Sequence, residues 1–509
     1  MNPLFGRSKC AARAAMAVVA IATLSLAVGC GFGGGGNGGG GGGGGNNGFS
    51  KASLNGHYAF TLRGFGLLPN STTVEDYFVE GGVFTADGNG NITAGTDDYV
   101  QSGVPYNDSV SGTYTINQDG TGDLRLNFGG GPGGRGLFTI YRITLSDSGH
   151  FYIIEDDGGA TSAGSGEKQD ATLLTTAPSG TFIVRNHDLQ VSATMAQMAI
   201  SGASVSGNFY MNQGGLEFLG AFGGAGNSIG TPVNGRGTMN YVVNGTSHNF
   251  FYYVLSATKF LLIDVTPGIL SVGQAEKQSA TVFSNVSFSG AYAFGSTGDS
   301  INADVINTVG AFTANGNQKM TDGSIDSVFD GSASGQVLVT DGNYTIGADG
   351  FGNFSLVTTQ GTLQQKIWMV SPSRAFFVAL DGINVEDGTI DLQNGNFTNA
   401  SLTNQAAFFM DGFDGLFKDR VGTLTPNGSG SLRTNYASSF FDPNVGLGGS
   451  QTNSFSGSYS VGNNGRVTTQ LNGFTNNIVL YLVSNSTGYL LQEDAGVNIS
   501  GAFRQQTGP

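Results

Sequence analysis

The feature that most constrains this chain is self-similarity at a period near 110 residues. A glycine stands five residues before a glutamine four times: Gly164/Gln169, Gly273/Gln278, Gly388/Gln393 and Gly501/Gln506, with the glutamines 109, 115 and 113 apart. An acid after an aromatic run recurs at Glu155, Asp264, Asp381 and Glu493, spaced 109, 117 and 112. Openings repeat at 55–60, 179–182 and 289–294, whereas the fourth, Gln405-Ala406-Ala407-Phe408, has lost its glycine. A Gly-x-Tyr marker stands at Gly112/Tyr114, Gly342/Tyr344 and Gly457/Tyr459, with no clean copy in the second unit. Such a period marks a folding module copied end to end. The units are placed at 50–172, 173–281, 282–396 and 397–509.

Inside a unit, short runs rich in Val, Ile, Thr, Tyr and Phe alternate with the turn pairs Asp87-Gly88, Asp119-Gly120, Asn315-Gly316, Asp349-Gly350 and Asn427-Gly428. That is hairpin grammar. Eight strands are expected in the first copy, beginning near Tyr58, Tyr77, Asn91, Gly112, Gly122, Leu137, His150 and Ser162. Only 191–200 keeps anything close to a helical period. The expected fold is all-β: four tandem antiparallel up-and-down units of about eight strands, each a small barrel, with two-sheet sandwiches as the alternative. Late strands 250–255, 367–370 and 478–483 are apolar on both faces. Their outer faces are therefore expected to pack on neighbouring units, joining them as a rod.

The N-terminus reads as an address. Arg7, Lys9 and Arg13 precede an apolar run, 14–28, and Ala27-Val28-Gly29 brings small residues up to Cys30. This is the order of a secretory signal peptide over 1–29, too short to span a bilayer. Leu26-Ala27-Val28-Gly29-Cys30 resembles a bacterial lipobox, with Ala27 where leucine is usual. The resemblance implies cleavage before Cys30, its acylation, and, with Gly31 next, the outer membrane. Residues 30–49 are a Gly-rich tether with a reach of about 23 Å. The expected location is the bacterial outer membrane or cell surface, held by lipid.

Composition narrows the chemistry. Cys10 and Cys30 are the only cysteines, so a mature body starting at Cys30 has no disulfide, zinc–thiolate site or cysteine nucleophile. Without the leader's three cations, 18 basic residues face 36 acidic ones. That balance argues against nucleic acid and against anionic lipid surfaces, leaving the N-terminal lipid as the membrane contact.

His57, His150, His187 and His248 show no metal-ligand spacing. The acids Glu155, Asp264, Asp381 and Glu493 fit either a metal or sugar contact at a barrel mouth or acceptors of turn N–H groups. No second carboxylate recurs beside them as a glycosidase would need. Asp87-Gly88-Asn89-Gly90-Asn91 lacks the later ligands of a calcium loop and reads as a turn. Gly428-Ser429-Gly430 lies between strands with no helix to follow, and the Gly-rich 129–136 has no Gly-Lys-Ser/Thr. Tyr58, Phe182, Tyr292 and Phe408 read as core plugs. No catalytic residue, metal or cofactor is assigned, and the one modification site is Cys30.

The strings 81–92 and 111–116, beside the lipobox and polyglycine, resemble the tandem β-repeat lipoproteins predicted in soil Acidobacteria. That group has no established activity, so the resemblance implies location and architecture alone. The expected role is non-enzymatic: display, adhesion or ligand capture, with a glycan, a small apolar ligand or a surface protein as partner. The alternatives are a secreted polysaccharide-active hydrolase and a small-ligand-binding barrel.

Overall fold

The computed structural model describes residues 48–509 apart from 69, 70, 72, 73, 130–136, 190, 303, 381, 473–477 and 509. Cys30, the signal segment and nearly all of the tether lie outside the described residues.

Four antiparallel barrels follow one another. Barrel 1 closes eight strands in chain order, from Asn55–Leu67 to Ala160–Lys168, with Phe60 opposite Gly166. Barrel 4 does the same from Ala406–Phe413 to Asn498–Gln505. Barrels 2 (Gly180–Asp188 to Ser271–Lys277) and 3 (Ser289–Ser300 to Asn384–Leu392) also close on eight. Each adds a short ninth strand on its third, Leu216–Phe222 and Ser332–Ala333 respectively. The small-barrel expectation holds and the sandwich does not. Of the eight strand starts expected in barrel 1, only the fourth is far off, at Val104, because Pro105 and the polar residues after it disguise its first half. The ambiguous run is strand Ser192–Ser201.

Alternation decides which side chains fill each lumen. In the first strand of barrel 1, Tyr58, Phe60 and Leu62 point inward and join an interior cluster with Phe84, Leu124 and Ile153. Ala59, between them, points outward into a different cluster.

The Gly-x-Tyr marker is a cap. The Tyr114 hydroxyl donates to Lys51 O (3.0 Å) and Leu54 O (2.7 Å), satisfying the end of the 3-10 helix Lys51–Ser53. Tyr344 and Tyr459 do the same for Asn285–Ser287 and Asn399–Ser401. The second unit lacks the tyrosine, and among the described residues no 3-10 helix precedes its first strand.

Outward faces join the barrels. Ala59 and Val83 of barrel 1 pack on Tyr253, Leu255, Leu261 and Ile263 of barrel 2. Ile183, Met195 and Tyr210 of barrel 2 pack on Trp368, Phe376 and Val378 of barrel 3. Ala293, Val309 and Ala311 of barrel 3 meet Val479, Tyr481 and Leu491 of barrel 4. The fourth seam returns to the start, where Ala407 and Val421 of barrel 4 pack on Tyr152, Ile154 and Ala163 of barrel 1. The two-faced apolar strands do pack between units, but the joined rod is corrected to a closed ring. One head-to-tail contact is used four times, and its rotation closes.

The glutamine marker is the clamp at each seam. Gln169 Nε2 donates to Val254 O (2.7 Å), Gln278 Nε2 to Met369 O (2.8 Å), Gln393 Nε2 to Leu482 O (2.7 Å) and Gln506 Nε2 to Leu145 O (2.6 Å). The residue after each glutamine then donates its N–H to the next carbonyl along: Asp170 to Leu255, Ser279 to Val370, Asn394 to Val483 and Thr507 to Ser146. Three seams are crossed by a linker. At the fourth, the C-terminal residues make the linker's bonds without covalent continuity.

The clamp also fixes the repeat alignment. Leu145, Val254, Met369 and Leu482 pair with Phe151, Phe260, Ala375 and Gly488 across equal turns. The true equivalents of Glu155 are therefore Asp264, Ala379 and Gln492. Asp381 lies outside the described residues, and Glu493 is one position late. Likewise Ala406, not Phe408, stands where Tyr58, Phe182 and Tyr292 stand, since these residues pair with Gln505, Lys168, Lys277 and Leu392 respectively.

Candidate functional site

The first strands of the four barrels run beside the ring axis, and their outward residues past the seam are polar. The equivalent positions are Arg63, His187, Thr297 and Asp411. Arg63 Nε and Nη2 both donate to Asp411 Oδ2, at 2.9 and 2.7 Å, tying barrel 1 to barrel 4. His187 Nδ1 lies 2.5 Å from Asp387 Oδ1, and Arg185 Nη1 is 3.4 Å from Asp387 Oδ2, tying barrel 2 to barrel 3. Arg63 also feels Asp387 and Asp299 of barrel 3, across the ring. All four barrels thus contribute charge to one axial cluster.

Its electrostatics follow from burial and pairing. Burial works to raise the Asp387 carboxyl, but His187, Arg185 and Arg63 overcome it and hold it below its ordinary value. Asp299 is pushed up by burial, with His187 and Arg63 only partly offsetting this. Asp419, buried at the fourth seam and accepting a bond from Thr161 Oγ1 (2.5 Å), is pushed far up by burial and by Asp411. Arg63 keeps about a fifth of its side-chain surface accessible (21%), so water reaches part of the axis. Among the described residues no group of three or more His, Cys, Asp or Glu side chains could hold a metal ion. Chemically, the cluster can fix the rotation of each barrel about the axis.

A second constellation sits in alternate seams. Asp98 accepts both Arg236 Nε and Nη2 (each 2.6 Å) and the Tyr253 hydroxyl (2.8 Å) between barrels 1 and 2. Asp326 accepts Arg466 Nε and Nη2 (2.7 and 2.6 Å) and the Tyr481 hydroxyl (2.6 Å) between barrels 3 and 4. Between barrels 2 and 3 the same positions hold Tyr210, Phe351 and Trp368, packed ring against ring at tilted angles. Glu493 packs against Asp326, and burial followed by that neighbouring charge raises its pKa to about 7. The pair can share a proton, but Arg466 seals Asp326 inside the seam.

The residues singled out in the sequence scatter. His57 Nδ1 meets Thr85 Oγ1 at 3.0 Å in barrel 1. His150 sits at the fourth seam against Arg504, and His248 Nδ1 lies 2.5 Å from Asp264 Oδ2 in barrel 2. Glu155 accepts from Ser162 Oγ at 3.2 Å. Asp87 Oδ1 accepts the N–H groups of Asn89 (2.7 Å) and Asn91 (3.0 Å), as a turn residue should. The Asn91 side-chain amide, which donates to Asp87 Oδ2 at 2.7 Å, and then these backbone bonds hold its pKa down to about 2. Asn315 and Asn427 do the same work in barrels 3 and 4. Ser429 of Gly428-Ser429-Gly430 is part of that last turn, and 130–136 lies outside the described residues.

Of the axial residues, sequence reasoning brought forward only His187, as a histidine without metal-ligand spacing, and gave it no role. The available signal was a charged or polar residue recurring at one outward position of the four first strands. No protein-family model matches this chain, and no curated protein matches it in sequence.

Proposed function

We propose that this is an exported, lipid-anchored surface protein that holds a rigid four-barrel ring away from the bacterial outer membrane for display or adhesion, without catalysis. One observation carries the reading. In up-and-down barrels of common orientation, every interbarrel linker, the clamp glutamines and the entering chain at Phe49 fall on one face. Phe49 is itself packed into barrel 1, 2% exposed, with its N–H on Gln118 O. A leash rooted there leaves the opposite face, with its odd-numbered hairpin loops, pointing outward. The filled lumens of barrels 1–3 and the paired axial charges support a scaffold over an enzyme.

Metabolic labelling with a palmitate probe tests the anchor. The expectation is label on the wild type, none on Cys30→Ser, and release of that variant from the membrane fraction. Equal labelling or equal fractionation of the two would reject it. A glycan array probed with the intact protein tests adhesion to sugars.

A further inference from the structure

We propose that the lumen of barrel 4 binds a small amphipathic carboxylate, its anion held by Arg420. The inference concerns that barrel's interior and stands whether or not the ring is membrane-anchored.

Four barrels of one design provide an internal comparison. On the inward face of the second strand, opposite Leu62, Asn186, Ser296 and Met410, stand Glu80, Thr194, Thr308 and Arg420. Barrel 4 alone puts a cation there. Arg420 is 5% exposed. Among the described residues it makes one hydrogen bond, Nη1 to Gln492 Oε1, and no ion pair; Tyr436 lies under the guanidinium at 5.6 Å. Asp494 is reached only through Gln492, whose Nε2 donates to it. A buried guanidinium carries five N–H donors and wants a carboxylate in bidentate contact. Directly across the ladder is Ser438, and Thr434 lies four residues before it on the same inward face, opposite Leu424 and beyond Tyr436; both are buried and their hydroxyls have no partner. The Ser438 hydroxyl beside the guanidinium and the Thr434 hydroxyl further along the same wall therefore face the lumen unpartnered, and no carboxylate meets the Arg420 fork among the described residues.

The same barrel has open space in its lumen. Two voids lie along its lumen, about 20 and 10 Å³, with Leu424 on the wall of both. The larger is bounded by Ala406, at the position where Tyr58, Phe182 and Tyr292 fill barrels 1–3 with rings 0% exposed. As they stand, the voids hold a water or so. The sister barrels show that an eight-stranded frame of this kind takes a whole ring at that point. Phe408, Met410, Ile478 and Leu490 line the space around Arg420, so the remainder of the ligand must be apolar.

The test is calorimetric titration of the intact protein with octanoate and, separately, with 1-octanol at neutral pH, followed by carbon NMR of carboxyl-labelled octanoate. Saturable 1:1 binding of octanoate is expected, about tenfold or more tighter than the alcohol, because a charge-assisted contact is lost in the alcohol. Arg420→Gln should erase that preference. Ala406→Phe, which keeps the cation and fills the space, should weaken both ligands together. Absence of saturable octanoate binding, equal affinity for the alcohol, or unchanged binding in Ala406→Phe would each overturn the proposal.

Discussion

Arg504 Nη1 lies 2.8 Å from His150 Nδ1, across the seam where the fourth barrel meets the first. At the other three seams the position of Arg504 is acidic: Glu167, Glu276 and Asp391, of which Glu167 and Glu276 pair with Lys259 and Arg374 of the next barrel. The seam without a covalent link thus carries its own charge code. Arg504 would repel the cations that barrels 2 and 3 present, so it selects barrel 1.

That code makes the seam pH-sensitive. Burial lowers the His150 pKa to about 4, with Glu167 opposing and Arg504 reinforcing the shift. A base whose pKa drops from 6.5 on folding is protonated more readily in the unfolded chain. Stability is then full above pH 6.5 and lost as pH falls towards about 4, by about 3 kcal/mol at the limit. Urea titrations between pH 7.5 and 4.5 should show the loss, and His150→Gln should remove most of it. Glu493, raised to about 7, acts in the opposite sense. Its contribution is full below pH 4.5 and is lost as pH rises through 7, so Glu493→Gln should raise stability at pH 8 relative to the wild type.

The glutamine clamps should be interchangeable in effect. Gln506→Ala removes the side-chain donor from the Leu145 carbonyl and leaves the Asp119 carbonyl only the longer bond from Gln405 Nε2 (3.4 Å), at a cost of about 1–3 kcal/mol. Gln278→Ala should cost the same. Only the first should raise hydrogen exchange at both ends of the chain, since no linker crosses its seam.

Gly350 illustrates why each clamp needs a glycine as well. Its φ is +86°, and a Cβ there would sit 3.0 Å from Gln278 Nε2. Gly350→Ala is expected to destabilise by about 1–2 kcal/mol or more, through backbone strain and displacement of the clamp. Equilibrium denaturation reads this out.

Buried ion pairs in alternate seams invite a swap. Arg466→Met alone should cost about 3–5 kcal/mol by leaving Asp326 buried and unpaired. Replacing Asp326, Arg466 and Tyr481 by Tyr, Phe and Trp, as the second seam has them, should recover most of that loss. Thermal unfolding of both variants is the check.

The fold was largely legible because strand periodicity and turn dipeptides are local signals. The repeat, the eight strands and the outward packing all follow from them. Ring closure was not legible, since no local pattern says that the last unit meets the first. Yet one of its parts was in view: Gln506 repeats the glutamine marker that opens each linker. The acid series misled because the late strands are apolar on both faces, as at Phe376-Phe377, and so allowed a slip of one or two residues. Its spacings of 117 and 112 already disagreed with the 115 and 113 of the glutamines. Arg63, Asp387 and Asp411 drew no notice and His187 no role, because their meaning depends on the axis, which is a property of the assembled ring.

Small-angle scattering of the intact protein in solution tests the closed ring most directly. A compact body of this length has a radius of gyration of about 23 Å, and a ring of four barrels stays within a few ångströms of that, with a single-peaked distance distribution. A radius well above 30 Å with a long tail in the distance distribution, the signature of four barrels in a row, would contradict it.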